Sequence, residues 1–311
     1  MHEDAALRGQ REHVAVELPP VVIPAVEITD VVSLDEVRER PASLTRTVDE
    51  AIERLAGHLA AGHTVAFREA LRFWSRFHKY SFANTLLIQA QRPDATLVAG
   101  FNRWRDEGFP VRKGERAMWI WAPMMRKNVN AGTGEEQEVV VAFRPAPVFD
   151  VAQVEVAEGQ SLPSFFAPLP DDVDVLYQQV RARVEAVGIR VEERMLPAGV
   201  QGMSRGGSIT IRPGLDSRNR LAVLLHEFVH EIEHQTEDTA AKTRGQRELE
   251  AESVTYVVLA VHGIEIPTSP DYVLTWDGTV EQLRASMSTI QRLVRRVLSM
   301  IEDTPSMSLA A

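Results

Sequence analysis

Residues 221–234 read Leu221-Ala222-Val223-Leu224-Leu225-His226-Glu227-Phe228-Val229-His230-Glu231-Ile232-Glu233-His234, and the spacing within this run decides the fold around it. Leu221, Leu224, Leu225, Phe228, Val229 and Ile232 recur at i, i+3, i+4, i+7, i+8 and i+11, the single apolar stripe of an amphipathic helix. Asp216-Ser217 supplies an N-cap. At about 100° per residue, His226 and His230 fall opposite the centre of that stripe. One face of the helix therefore packs into a core while the other lines a cleft. Residues four apart share a face, so both imidazoles can reach one metal ion. Glu227 stands beside the first histidine as a general base for an attacking water. Two incidental surface histidines would give the same five-residue pattern, so the weight falls on finding a third ligand.

A zinc ion with two histidines needs one more protein ligand and an open position. The next helical segment, Gln246-Arg247-Glu248-Leu249-Glu250-Ala251-Glu252, offers three carboxylates. Glu248 and Glu252 share a face at i, i+4, whereas Glu250 points roughly the other way, along Val254, Val257 and Val261. Glu248 is the expected ligand and Glu252 the group that orients a ligand histidine, with Glu252 and then Glu250 as alternatives for the ligand itself. A solvated acidic first turn, favoured by the helix dipole, is the competing reading. His234 stands eight residues from His226, about 12 Å along a helix axis. Donors around one zinc lie only about 3–4 Å apart, so His234 is expected to hydrogen-bond behind the ligands. The metzincin spacing is absent. With no cysteine in the chain, disulfides are impossible and zinc must be held by histidine and carboxylate.

HEFVHEIEH followed by ELEAESVTYVV resembles the ImmA/IrrE-type zinc metallopeptidases, over roughly residues 171–303. That resemblance implies a gluzincin-like site with His226, His230 and Glu248 on zinc and Glu227 as base. Glu252 stands where that family usually has Asn or Asp.

The first half carries a separate signal. Residues 68–127 hold twelve Lys and Arg against five acids, in a chain of net charge −10. Trp74, Trp104, Trp119 and Trp121 lie in the same stretch. Cations interleaved with flat rings suit single-stranded nucleic acid, the first for phosphates and the second for unstacked bases. The plainer reading is that the rings are core, above all Trp119 and Trp121, which alternate with Met118 and Ile120 as in a strand. The run FHKYSFANTLLIQAQRPDATLVAGFNRWRDEGFPVRKGERAMWIWAP resembles the N-terminal single-stranded-DNA-binding domain of ArdC-type antirestriction proteins. Its YSFxN-LL, PxATxVxGFxxW and VxKGE elements occur in order. Such proteins join this domain to a zinc peptidase-like domain, although their helix usually reads HExxHWTGH-like where this chain has HEFVHEIEH. On this basis Arg76, Lys79, Tyr80, Asn84, Arg103, Trp104, Lys113 and Arg116 are candidate DNA contacts.

The expected fold class is α+β in two domains. Residues 43–155 form a helical plus β-hairpin DNA-binding domain, 156–171 a linker, and 172–303 a mainly helical gluzincin-like domain with a small sheet. Residues 1–42 and 304–311 are read as tails. Helices are expected near 43–61, 64–79, 81–91, 99–107, 172–187 and 280–302 besides the two that carry the motif. Strands are expected near 116–126, 137–149, 190–196 and 207–212, with Gly132-Thr133-Gly134 in the first hairpin loop. Ser208-Ile209-Thr210-Ile211 is the expected sheet edge for an extended peptide. No signal peptide or long apolar run is present, which points to the cytoplasm and away from a membrane. The expected protein is a zinc-dependent metallopeptidase that binds single-stranded DNA and cleaves a protein substrate, with His262, Tyr256 or Tyr272 as donor to the oxyanion. The competing class is a non-enzymatic antirestriction protein whose zinc is structural. A metal-dependent nuclease is disfavoured, because nothing suggests a second metal.

Overall fold

The computed structural model describes residues 34–129, 136–157, 159–162, 172–235, 242–265, 276 and 278–302. The elements run α1 (Leu34–Ala60), α2 (Thr64–Arg76), α3 (Phe82–Gln91), β1 (Val98–Gly100), α4 (Phe101–Asp106), β2 (Met118–Val129) and β3 (Glu136–Asp150) in the first half. The second half has α5 (Val173–Ala186), β4 (Arg190–Glu193), β5 (Gly202–Ser204), β6 (Ser208–Ile211), α6 (Ser217–Val229), a π-turn (His230–His234), α7 (Arg244–Val261) and α8 (Val280–Glu302). The chain is thus mixed α and β with two three-stranded sheets, β1-β3-β2 and β4-β6-β5. No helix among the described residues is long and apolar enough to cross a membrane.

The expected boundary at residue 42 moves. Helix α1 begins at Leu34 and runs through Pro41, because Leu44, Val48, Ile52, Leu55 and Leu59 further along it are buried and hold its axis. Arg40 in this early segment stacks 3.6 Å above the Trp119 ring. Residues 1–33, the hairpin glycines 132–134, most of the expected linker and the tail 304–311 lie outside the described residues.

The expectation of two separately cored domains gives way to a continuous core. One apolar cluster runs from Leu44 of α1 to Ile301 of α8. α2 packs on α7, and α1 and α3 pack on α8. The physical reason is the width of the apolar face on α8, where Leu283, Met287, Ile290, Leu293, Val294, Val297 and Leu298 are all buried. Polar contacts cross the same boundary. Arg284 bonds Asp49 at 2.7 Å, and the Phe82 amide donates to Gln291 at 3.0 Å. A second, small cluster surrounds Trp104, with Phe109, Phe149 and Val154.

Strand β2 lies at the rim of its sheet, and α3 closes that rim with side-chain amides. Asn84 donates to the Trp121 carbonyl at 2.8 Å and accepts from the Trp121 amide at 2.9 Å. Gln91 does the same for Trp119 at 2.9 and 2.8 Å. Two amides seven residues apart on a helix thus stand in for a neighbouring strand and satisfy backbone groups that would otherwise be lost to burial. Asn84→Asp keeps the size but sets a carboxylate oxygen against the Trp121 carbonyl. We expect it to cost about 2–3 kcal/mol in chemical denaturation, whereas Asn84 replaced in a solvated role would change stability negligibly.

Candidate metal centre

Helix α6 starts at Asp216, whose carboxylate accepts from the amides of Arg218 and Asn219. It buries Leu221, Leu224, Leu225, Phe228 and Val229. That leaves His226, Glu227 and His230 on the wall of a cleft of about 810 Å³. Helix α7 starts at a capping box in which Thr243 and Gln246 exchange backbone and side-chain bonds. It presents Glu248 and Glu252 to the same cleft.

His226, His230 and Glu248 each offer one ligand atom, and these atoms lie within 4.8 Å of one another. His226 Nε2 is 3.0 Å from His230 Nε2 and 3.4 Å from Glu248 Oε2, and His230 Nε2 is 3.7 Å from the same oxygen. These separations suit donors placed about 2 Å from one tetrahedral cation. The donor set, two imidazoles and one carboxylate, fits zinc or another borderline divalent ion. The far nitrogens are also engaged. His226 Nδ1 faces Glu252 at 3.6 Å, and His230 Nδ1 meets His234 Nδ1 at 2.8 Å.

The electrostatics favour a positive charge among the three donors. Burial opposes a charged His226, but Glu248 and Glu252 outweigh it and raise the imidazole to about 10. The two histidines hold the Glu248 carboxyl well below the usual range. Burial pushes the Glu227 carboxyl up, against the pull of His226, His230 and a bond from the Ser204 backbone amide. A base with a raised pKa is better matched to proton transfer near neutrality.

Glu250, an alternative ligand in the sequence reading, is buried and turned away from the cleft. It bonds His234 at 3.0 Å and Lys242 at 2.7 Å. Among the oxyanion candidates, Tyr256 lines the cleft. His262 bonds the Val258 carbonyl at 2.6 Å and is not among the cleft-lining residues, and Tyr272 lies outside the described residues.

The DNA candidates divide. Arg76, Lys79, Arg103, Lys113 and Arg116 are exposed, although Arg103 pairs with Glu107 at 2.7 Å. Trp104 and Asn84, expected to contact DNA, are instead buried. Trp104 is 0% exposed and donates to the Phe149 carbonyl at 2.8 Å, and Asn84 is spent on β2. Both are structural because burial leaves no face for a base. Tyr80 is half-buried, its hydroxyl donating to Val98 O at 2.9 Å, and burial raises it to about 12.

The sheet beside the cleft also differs from expectation. β6 is central, paired parallel to β4 and antiparallel to β5, so the rim is β5. A three-residue strand leaves too little alternation to detect in sequence. Gly202 of β5 lies so close to α6 that an added Cβ would sit 2.7 Å from Glu227 Oε1 and 2.5 Å from Val223 Cγ1. Sequence reasoning also missed Glu231. Its Oε1 accepts from the amides of Arg205 at 2.7 Å and Gly206 at 2.8 Å, and its Oε2 from Gly207 at 2.6 Å. Gly206 and Gly207 both have positive φ, which turns their amides towards the carboxylate. The available signal was an acid next to the second histidine and a Gly-Gly turn before a strand.

Glu231 thereby fixes the β5–β6 turn to the metal-site helix, and with it Ser204 and Gly202 against Glu227. Replacing it by Gln forfeits a charge-assisted bond worth about 1.5–3 kcal/mol. Amide exchange of residues 205–207 should then accelerate roughly ten- to a hundredfold, measured by mass spectrometry. Unchanged protection would show that the turn holds itself.

Residues 38–149 match the family profile described as the N-terminal domain of anti-restriction factor ArdC. An uncharacterized protein of Bacillus anthracis is 23% identical over 275 residues, covering 75% of this chain and 46% of its own length. The chain therefore spans about half of that relative. The crystal structure of the antirestriction ArdC protein from plasmid R388 in its metal-free form superposes with a TM-score of 0.50 at 14% identity, covering 83% of this chain and 98% of that one. The Mn(II)-bound form gives 0.52 at 16%, covering 83% and 99%. The chain has the fold of antirestriction ArdC, and its residues 38–149 carry the N-terminal domain of that family.

Proposed function

We propose that this protein is a metal-dependent peptidase whose N-terminal half binds single-stranded DNA. The observation that carries the reading is the convergence of His226, His230 and Glu248 beside Glu227 on one cleft wall, next to the rim strand β5. It agrees with the gluzincin-like arrangement that the ImmA/IrrE-type resemblance implies. The R388 ArdC structure with Mn(II) supports a metal on this fold, and the His/His/Glu donor set makes zinc the ion we assign. Such an ion, when bound, supplies Lewis-acid polarisation of a carbonyl and an acidified water.

The protein's own groups supply the rest. Flanking β5, the Gln201 carbonyl and the Arg205 amide bond towards β6, so alternation turns the Gly202 backbone groups and the Ser204 carbonyl outward, while the Ser204 amide is taken by Glu227. A peptide lying antiparallel to this rim would pair with them and bring its carbonyl over the cleft. Glu227 takes the proton of the attacking water and passes it to the leaving amine. Tyr256 is the side chain we assign to the developing oxyanion.

The exposed cations Arg76, Lys79, Arg103, Lys113 and Arg116 serve phosphates in the DNA half. A second reading, in which the ion only ties α6 to α7, is favoured by one observation: both ligand histidines are braced by carboxylates of α7, directly or through His234.

Glu227→Gln separates the two readings. It should retain metal and fold while lowering cleavage of a random peptide library by about 10²–10⁴-fold. Absence of cleavage in both forms, with DNA binding intact, establishes the non-enzymatic reading, and equal cleavage in both removes Glu227 as the base. For the DNA half, the double charge reversal Lys113→Glu with Arg116→Glu should weaken binding of a labelled oligonucleotide roughly tenfold and flatten its salt dependence. Unaltered fluorescence anisotropy would remove these two residues from the interface.

A further inference from the structure

Behind His230 a line of polar groups runs into the core. His230 Nδ1 meets His234 Nδ1 at 2.8 Å, and His234 Nε2 meets Glu250 Oε2 at 3.0 Å. Lys242 donates to the same Glu250 oxygen at 2.7 Å and to Glu233 at 3.1 Å, and Arg292 of α8 closes the line on Glu233 at 2.7 Å. The His234 and Glu250 side chains are 2% and 1% exposed, so water is kept from the contact between them.

The direction of each bond follows from what each group can do. A carboxylate only accepts, so the hydrogen between His234 and Glu250 sits on His234 Nε2. When His230 binds an ion through Nε2 its ring hydrogen stands on Nδ1, and His234, already donating from Nε2, is placed to accept it. The hydrogen between the two Nδ1 atoms must then come from His230. A neutral His230 with its hydrogen on Nδ1 has its Nε2 lone pair free, and that nitrogen is the one facing His226 Nε2 and Glu248 Oε2. We propose that His234 and Glu250, with Lys242 behind them, are positioning residues that fix the tautomer and ring orientation of His230, so that the core of the protein sets the ligand before any metal arrives. His226 is held differently, by Glu252 at the longer distance of 3.6 Å and on the cleft side.

The inference rests on His230 being a metal ligand, and the test keeps the two claims apart. Long-range proton–nitrogen correlation spectra of the labelled full-length protein report which ring nitrogen carries hydrogen. In metal-free wild type, His230 should be the Nδ1–H form and His234 the Nε2–H form. His230 found as Nε2–H overturns the proposal, and this readout needs no variant to fold. In chelator competition with Zn(II), His234→Ala should lower affinity about 10–100-fold. His234→Gln, whose amide oxygen can accept from His230, should recover most of that loss. Affinity unchanged in His234→Ala, or no recovery by Gln in a variant that melts like wild type, also overturns it. Failure of wild type to bind Zn(II) or Mn(II) at all would instead remove the metal reading, while the tautomers stay measurable.

Discussion

Helix α7 is buried on nearly every side, and an ionised carboxylate at Glu250 in the middle of it must be neutralised by groups within reach. Lys242 comes from just before the helix, and His234 from the end of the preceding one. Meeting both demands places the end of α6 against α7. The π-turn at His230–His234 is the local adjustment that accompanies it, and such turns concentrate at functional sites. Two residues before and after Glu250, on the opposite side of the helix, stand Glu248 and Glu252. Once Glu250 faces inward, those two face the histidines of α6. The geometry of the three metal donors is therefore a consequence of where one buried charge is satisfied.

The same economy operates in the first half. Asn84, Gln91 and the Trp104 indole are polar groups among apolar neighbours, and each is spent on backbone. A sequence pattern of amides and aromatics suited to nucleic acid is, for these residues, the pattern of a sheet rim closed by a helix. The charges are different. Lys113 and Arg116 remain exposed, as charged head groups mostly do.

How much could be read from sequence follows from the range of each interaction. The α6 stripe, the Glu248/Glu252 face and the span of α8 are periodic over several turns, and the pattern carries them. The β5 rim is three residues long, and its place depends on Glu231 reaching a turn 24 to 26 residues away. Lys242 reads as an ordinary loop lysine until Glu250 is seen to be buried. The start of α1 was hidden because residues 1–42 hold no long periodic segment, while the packing that holds the helix comes from α2, α3 and α8. Two domains are expected from the length of the chain and from the separate resemblances of its two halves, neither of which says whether the faces of those halves meet.

That shared core bears on what an ion at His226, His230 and Glu248 would be for. A structural ion is most needed where a chain buries too little apolar surface to hold itself together. Here α6 and α7 already pack on each other, and their Leu221, Leu225, Phe228, Val254 and Val258 are all buried, each such side chain contributing about 1.5–3 kcal/mol. Glu250 and Lys242 join the same helices to the π-turn, without recourse to the donors facing the cleft. An ion added to His226, His230 and Glu248 would brace contacts that already exist. Its distinctive position is the cleft wall, beside Glu227 and the Gly202 backbone, which is where a reacting carbonyl would have to lie.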